Sequence, residues 1–323
     1  MPSIWTMGEI LVEIMRPRPG IPLSDTAEFL GPFPSGAPAI FIDTAARLGQ
    51  AAGIIGGVGE DDFGRCVLDR LEADGVDCSR VVRVPHRSTA VAFVTYFDDG
   101  SRQFIFHIDG TPAVMAGYTP ADGIEDPGFF HVMGCSLMAN DAFRASILET
   151  MASFHARGAK VSFDPNIRPE LLGSRDLEEV VGPVLACCSV LFPGAAELAL
   201  LTGRTEEERG VRALFDAWPV EMVVVKRGKA GCTVYTPSGT IKIAAFPAVE
   251  VDPTGAGDCF DAAFLCGLLA GHSLERCGRM AAAAGALNAQ AFGPMEGKIS
   301  ESAIEQVLCQ GYAGDRVAVG HGR

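Results

Sequence analysis

The residues best placed to do chemistry lie together at Asp252-Pro253-Thr254-Gly255-Ala256-Gly257-Asp258. Pro253 cannot continue a strand and suits the turn into a helix. Gly255, Ala256 and Gly257 then bring three small residues to a helix start, where amide N–H groups have no intrahelical partner and the helix dipole adds partial positive charge. Side chains this small let an anion approach the backbone closely. Asp258 follows at once. An acid in a first turn can serve the dipole alone, but beside an anion cradle it can also take a proton from a hydroxyl. The pattern points to a cradle for a migrating phosphoryl group next to its base.

Three further polar clusters directly follow apolar runs: Asp164-Pro165-Asn166-Ile167-Arg168, Pro193-Gly194-Ala195-Ala196-Glu197 and Lys226-Arg227-Gly228-Lys229-Ala230-Gly231. They sit in a strand–helix alternation. Residues 129–134, 161–163, 190–192 and 220–225 read as strands, and residues 141–156, 177–185, 197–201, 211–218 and 274–291 as helices. The Val-rich run at 220–225 suits a parallel sheet covered on both faces. Repeated βα units predict an α/β fold with a doubly wound, mainly parallel sheet and ligands at the carboxyl ends of its strands. Residues 4–14 read as one buried first strand, and a β-rich segment is expected to end at Val251. Residues 89–97 and 102–108 alternate around the turn Asp98-Asp99-Gly100 and form a hairpin, either an edge of the main sheet or a separate surface. The Gly57–Gly64 stretch is not G-x-G-x-x-G, because position 62 is Asp, and no Walker phosphate loop is present.

The Asp252–Asp258 string resembles the second signature of the ribokinase-like (PfkB) carbohydrate kinases, and Asp164–Arg168 resembles their D-P-N-x-R motif. Similarity extends from Gly8 to about residue 297. The ketohexose (tagatose and fructose) and 2-keto-3-deoxygluconate kinases are the nearest groups. The resemblance implies that Asp258 is the base and that Gly255, Ala256 and Gly257 form the anion hole. Glu13 and Gly36 would bind the sugar with Arg168, and Phe93, Phe106 and His107 would come from a β lid. It puts Asn166, Lys226, Gly228 and Gly231 on the nucleotide side and the adenine near Ala282 and Asn288. Glu197 would act through water on Mg²⁺. Asp252 and Thr254 fall where relatives hold a monovalent cation such as K⁺, although an Asx turn explains the pair equally. Ser35, Ile40 and Gly194 depart from the family pattern, the last two replacing asparagines.

The 323 residues, 48% hydrophobic and 20% charged, can build a sizeable core. One kinase domain is expected over 1–311, with lid segments at about 10–35 and 88–112 and a tail at 312–323. A net charge of −14 disfavours nucleic acid and anionic membranes. The ten cysteines show no metal-ligand spacing and read as reduced filler. Residues 1–11 lack a basic leader and no apolar run reaches transmembrane length. A cytoplasmic protein is therefore the expectation, and the resemblance implies a homodimer joined through the lid.

The function expected is ATP-dependent phosphorylation of a primary hydroxyl of a ketohexose. A 2-keto-3-deoxygluconate kinase, a nucleoside kinase and a non-catalytic sugar sensor are the alternatives. Relatives acting on the keto acid carry an arginine on the second lid strand, near His107 here. Its loss would remove a charge-assisted hydrogen bond to a carboxylate, on the order of 1.5–3 kcal/mol.

Overall fold

The computed structural model describes residues 3–310. The strands in chain order are β1 Ser3–Met7, β2 Leu11–Met15, β3 Leu30–Ser35, β4 Ala51–Gly59, β5 Asp77–Val84, β6 Ala90–Tyr96, β7 Arg102–His107, β8 Pro127–Met133, β9 Lys160–Asp164, β10 Cys188–Leu191, β11 Met222–Lys226, β12 Cys232–Thr236 and β13 Gly239–Ile243. Among the described residues they form a nine-stranded sheet, ordered β13-β12-β11-β10-β9-β8-β1-β4-β5, and a four-stranded sheet, ordered β3-β2-β6-β7. The large sheet is parallel from β11 through β5 and ends in the antiparallel hairpin β12–β13. Val223, Val224 and Val225 are all fully buried, so helices cover both of its faces, which explains the unbroken apolar runs.

Two expectations need correction. Residues 4–14 are two strands, β1 in the large sheet and β2 in the small one, interrupted at Gly8-Glu9-Ile10. Here the Glu9 carboxylate turns inward to accept from Ser136 Oγ at 2.5 Å and Cys135 Sγ at 3.1 Å. A methyl group on Gly8 would lie 2.3 Å from Pro38 Cγ, so only glycine fits where the chain changes sheets. The β-rich segment ends at Ile243 rather than Val251, and Val249 is 81% exposed. The expected tail at 312–323 lies outside the described residues.

The small sheet joins the 88–108 hairpin to β2 and β3. Register divides it into two faces. Glu13, Ala92 and Phe106 are cross-strand neighbours on one face, with Tyr96 and Arg102 farther along it; Phe93, Ile105, Val91 and His107 share the other. The first face looks toward the Asp252–Asp258 turn, since Tyr96 Oη lies 2.5 Å from Thr254 Oγ1.

Candidate active site

The helix Ala256–Leu269 starts at Gly255, whose φ of 77° is left-handed. A methyl group there would lie 2.5 Å from the Pro294 carbonyl oxygen and 3.0 Å from Ile40 Cγ2. Ile40 thus props the turn from beneath, which accounts for an apolar side chain where the resemblance expects asparagine. Asp252 shapes the turn: Oδ1 accepts from Thr254 N–H at 2.9 Å and Thr254 Oγ–H at 2.6 Å, while Oδ2 accepts from Gly293 N–H at 2.9 Å. Both oxygens of Asp252 therefore clamp backbone, as an Asx turn does.

Asp258 is buried in the first turn of this helix. Burial pushes its carboxyl up to about 7, the nearby Asp164 charge adds to this, and Lys226, Arg168 and Arg102 oppose it. Asn166 Nδ2 lies 3.4 Å from Asp258 Oδ1. Asn166 is left-handed, with φ 39°, and its backbone N–H donates to Asp164 Oδ1 at 3.0 Å.

Glu13 is buried on the inward face of the small sheet. Ser35 Oγ donates to its Oε1 at 2.8 Å, which gives the Ser35 departure a role. Burial pushes the Glu13 carboxyl up to about 7. Glu13 Oε2 and Asn166 Oδ1 are buried acceptors with no protein partner. Arg168 and Arg102 act electrostatically on both Glu13 and Asp258, so these groups border one cleft. Gly36, with φ 105°, caps the helix Ala37–Arg47; a methyl group there would lie 2.4 Å from the Glu9 carbonyl oxygen. The chain's own packing therefore already demands this glycine.

A cavity of about 640 Å³ opens beyond the turn, within the usual range for small-ligand pockets. Its wall includes Lys226, Gly228, Gly231, Ala256, Gly257 and Ala282, with Phe246 and Phe260 supplying apolar surface. Asn288 is not on this wall. It is fully buried, and its amide donates to the Thr254 carbonyl at 2.7 Å and the Pro294 carbonyl at 3.1 Å. It holds the cradle from behind. Glu197 Oε1 accepts from Ile167 N–H at 2.8 Å and Oε2 from Gly194 N–H at 2.7 Å. Gly194, where the resemblance expects asparagine, thus engages Glu197 through its backbone. Burial and the Asp164 charge push the Glu197 carboxyl above its ordinary range.

Phe93 and His107 do not reach the cleft. They lie on the outward face, 5.9 Å apart in edge-to-face contact, with Phe29 packed 5.6 Å from Phe93. Side chains alternate along a strand, so Phe106 and His107 cannot both point inward. The inward residues are Phe106, stacked 5.0 Å from Phe104, and then Arg102 and Tyr96. Arg102 and Tyr96 escaped sequence reasoning, although counting by twos from Phe106 reaches Arg102. Arg102 is an arginine on the inward face of β7, so the argument from a missing arginine at His107 does not hold.

The family description pfkB family carbohydrate kinase matches residues 21–301. The chain is 30% identical to the fructokinase of Salmonella typhimurium over 306 residues, covering 91% of this chain and 95% of that protein. It is 32% identical to fructokinase-1 of Zea mays over 267 residues, 81% of each. A solved structure described as a putative ribokinase II from E. coli in complex with ATP and Mg²⁺ is 37% identical, with a TM-score of 0.89 over 96% of this chain and 100% of that one. Likeness of this extent, in a chain that sets a buried carboxylate beside a left-handed glycine turn, makes the protein a member of the pfkB family of carbohydrate kinases.

Proposed function

We propose that the protein is an ATP-dependent ketohexose kinase acting on a primary hydroxyl of fructose or tagatose. The observation that carries this is the pair of buried, unpartnered acceptors, Glu13 Oε2 and Asn166 Oδ1, in the cleft with Asp258. A buried acceptor left unsatisfied costs roughly 1–3 kcal/mol, and sugar hydroxyls would satisfy both. Relatives named fructokinase support the same acceptor, as does a fold shared, at a TM-score of 0.82, with a double-mutant fructokinase from Vibrio cholerae O395 in fructose, ADP and potassium ion bound form. Asp258 takes the proton of the attacking hydroxyl, and a carboxyl titrating near 7 suits a base at neutral pH. The amides at Gly255–Gly257 meet charge growing on the transferred oxygens, and the nucleotide lies along Lys226, Gly228, Gly231 and Ala282.

The residues fit a hydrated Mg²⁺. The Glu197 carboxylate, its oxygens already accepting backbone N–H groups and its proton affinity raised by burial and then by the nearby Asp164, would hold the ion through water. The ion would supply neutralisation of phosphate charge. By the same reading Asp252 and Thr254 would border a K⁺ site, which a rise in rate on replacing Na⁺ with K⁺ checks. Coupled ADP release over a panel of fructose, tagatose, 2-keto-3-deoxygluconate, ribose and nucleosides should give the highest kcat/KM with a ketohexose; a higher value for the keto acid or a nucleoside overturns the choice.

The small sheet is the sugar lid, formed by segments about 10–35 and 88–112. Its outward face, where Ile105 is 44% exposed, joins two copies into a cytoplasmic homodimer. Sedimentation should show a dimer, and fructose should slow amide exchange in β6 and β7. A strict monomer removes the dimer, and unchanged exchange removes lid closure. No helix among the described residues is long and apolar enough to cross a membrane.

A further inference from the structure

Beneath the anion cradle two buried carboxylates, Asp164 and Asp261, meet the half-buried ammonium of Lys226. Lys226 Nζ, at the end of β11, donates to Asp164 Oδ2 at 2.8 Å and to Asp261 Oδ2 and Oδ1 at 3.0 and 3.1 Å. Asp164 ends β9, and Asp261 stands one turn beyond Asp258 on its helix. Asp261 is fully buried and Asp164 2% exposed. Burying such a cluster costs several kcal/mol per ion, and apolar replacements are often as stable, so stability alone does not account for it.

Its connections lead to the reacting groups. Asp164 accepts from the Asn166 backbone, and Asn166 reaches Asp258. On the other side, a methyl group on Gly257 would lie 3.7 Å from Lys226 Nζ, so the ammonium stands beside the cradle amides. We propose that Lys226 and Asp261 are positioning residues for phosphoryl transfer: together they clamp Asp164, which holds Asn166 left-handed against the Asp258 carboxylate. The inference rests on the kinase reading. The charges facing Asp258 are Asp164, Lys226, Arg168 and Arg102, and the thiols of Cys135 and Cys259 lie near it. The Asp164 carboxyl is held below its ordinary range by Lys226 against the effect of burial, whereas burial pushes Asp261 well above its own. Lys226 thus carries the cation opposite Asp164, and Asp261 fills the remaining side of the ammonium.

The test uses Lys226→Met and Asp261→Leu. Each should lower kcat about 10- to 100-fold, as a misplaced reacting group does; in Asp261→Leu, whose side chain does not line the nucleotide cavity, KM for ATP and sugar should stay within about threefold. Lys226→Met should also move the acid limb of the kcat/KM profile up by about one pH unit, since an opposite charge is lost. A merely structural role would lower the melting temperature and leave kcat per folded molecule intact. If Lys226→Met fails to fold, the apolar Asp261→Leu still decides by its kcat. Carbon-13 titration of the Asp258 carboxyl, assigned with Asp258→Asn, needs no turnover; in Lys226→Met its midpoint should move up from about 7. If the wild-type protein phosphorylates no sugar, the kinase reading fails, and this titration with the Asn166 backbone resonance judges the clamp. An unmoved midpoint and Asn166 resonance, or unchanged kcat in both variants, overturns the proposal.

Discussion

Asp258→Asn should fold, bind ATP and lose two to four orders of magnitude in turnover, the range of general-base contributions. The substitution keeps the shape of a buried side chain and removes only its ability to accept a proton. Stability should move in the opposite direction. The Asp258 carboxyl titrates near 7 in the fold against a reference value of 3.8, so the folded state binds this proton more tightly than the unfolded chain. Its stabilising contribution is present below the unfolded value and is lost as pH rises through about 7. The gap corresponds to roughly 4 kcal/mol of disfavour once the group is ionised. The asparagine variant should therefore melt at a higher temperature than wild type at pH 8 and at nearly the same temperature at pH 4. Turnover within a factor of about three of wild type would remove Asp258 as the base. An equal melting difference at both pH values would remove the argument from burial.

Gly255→Ala should lose about 100- to 1,000-fold in kcat, comparable to deleting one donor of an oxyanion hole. The alanine methyl would collide with the Pro294 carbonyl oxygen at 2.5 Å, and backbone cannot step aside as a flexible side chain does. The left-handed φ of 77° adds roughly 1–2 kcal/mol of strain for any residue with a Cβ. Relief requires the turn to move away from residues 293–297, which loosens the Asn288 bonds to Thr254 and Pro294 and turns the amides from the phosphoryl group. KM for the sugar should change little, because Glu13 and Ser35 are on another sheet. A kcat within about threefold of wild type would show that the amides need no such precise placement.

The parts legible in sequence were those written locally. The Asp252–Asp258 string carries its turn, cap and acid within seven residues, and the βα alternation shows in periodicity. The two ends of the first apolar run looked continuous because both are buried; what divides them is an inward Glu9 whose partners, Cys135 and Ser136, lie 126 and 127 residues away. The hairpin β12–β13 had its turn signal in Pro237-Ser238-Gly239 and went unread. The inward face of the small sheet was recoverable from alternation, but aromatic content drew attention to Phe93, and the position of an arginine in related kinases drew it to His107. Lys226 and its two carboxylate partners are 62 and 35 residues apart, so only the folded sheet reveals that they share one site.

The division of the first strand sets how the small sheet can bend. β2 continues directly from β1 through three residues with no slack: Gly8 has no room, Glu9 is tied at both oxygens, and Ile10 is fully buried. The small sheet is thus built in at one end, like a cantilever, and not hung on a free loop. Displacement on opening should grow with distance from that root, staying small at Leu11 and Ala90 and becoming largest at the 97–101 turn. The free end is also where Tyr96 touches Thr254. A single hydroxyl at the tip of the beam then acts with the longest lever arm, and Tyr96→Phe should speed sugar release more than a comparable loss near the root.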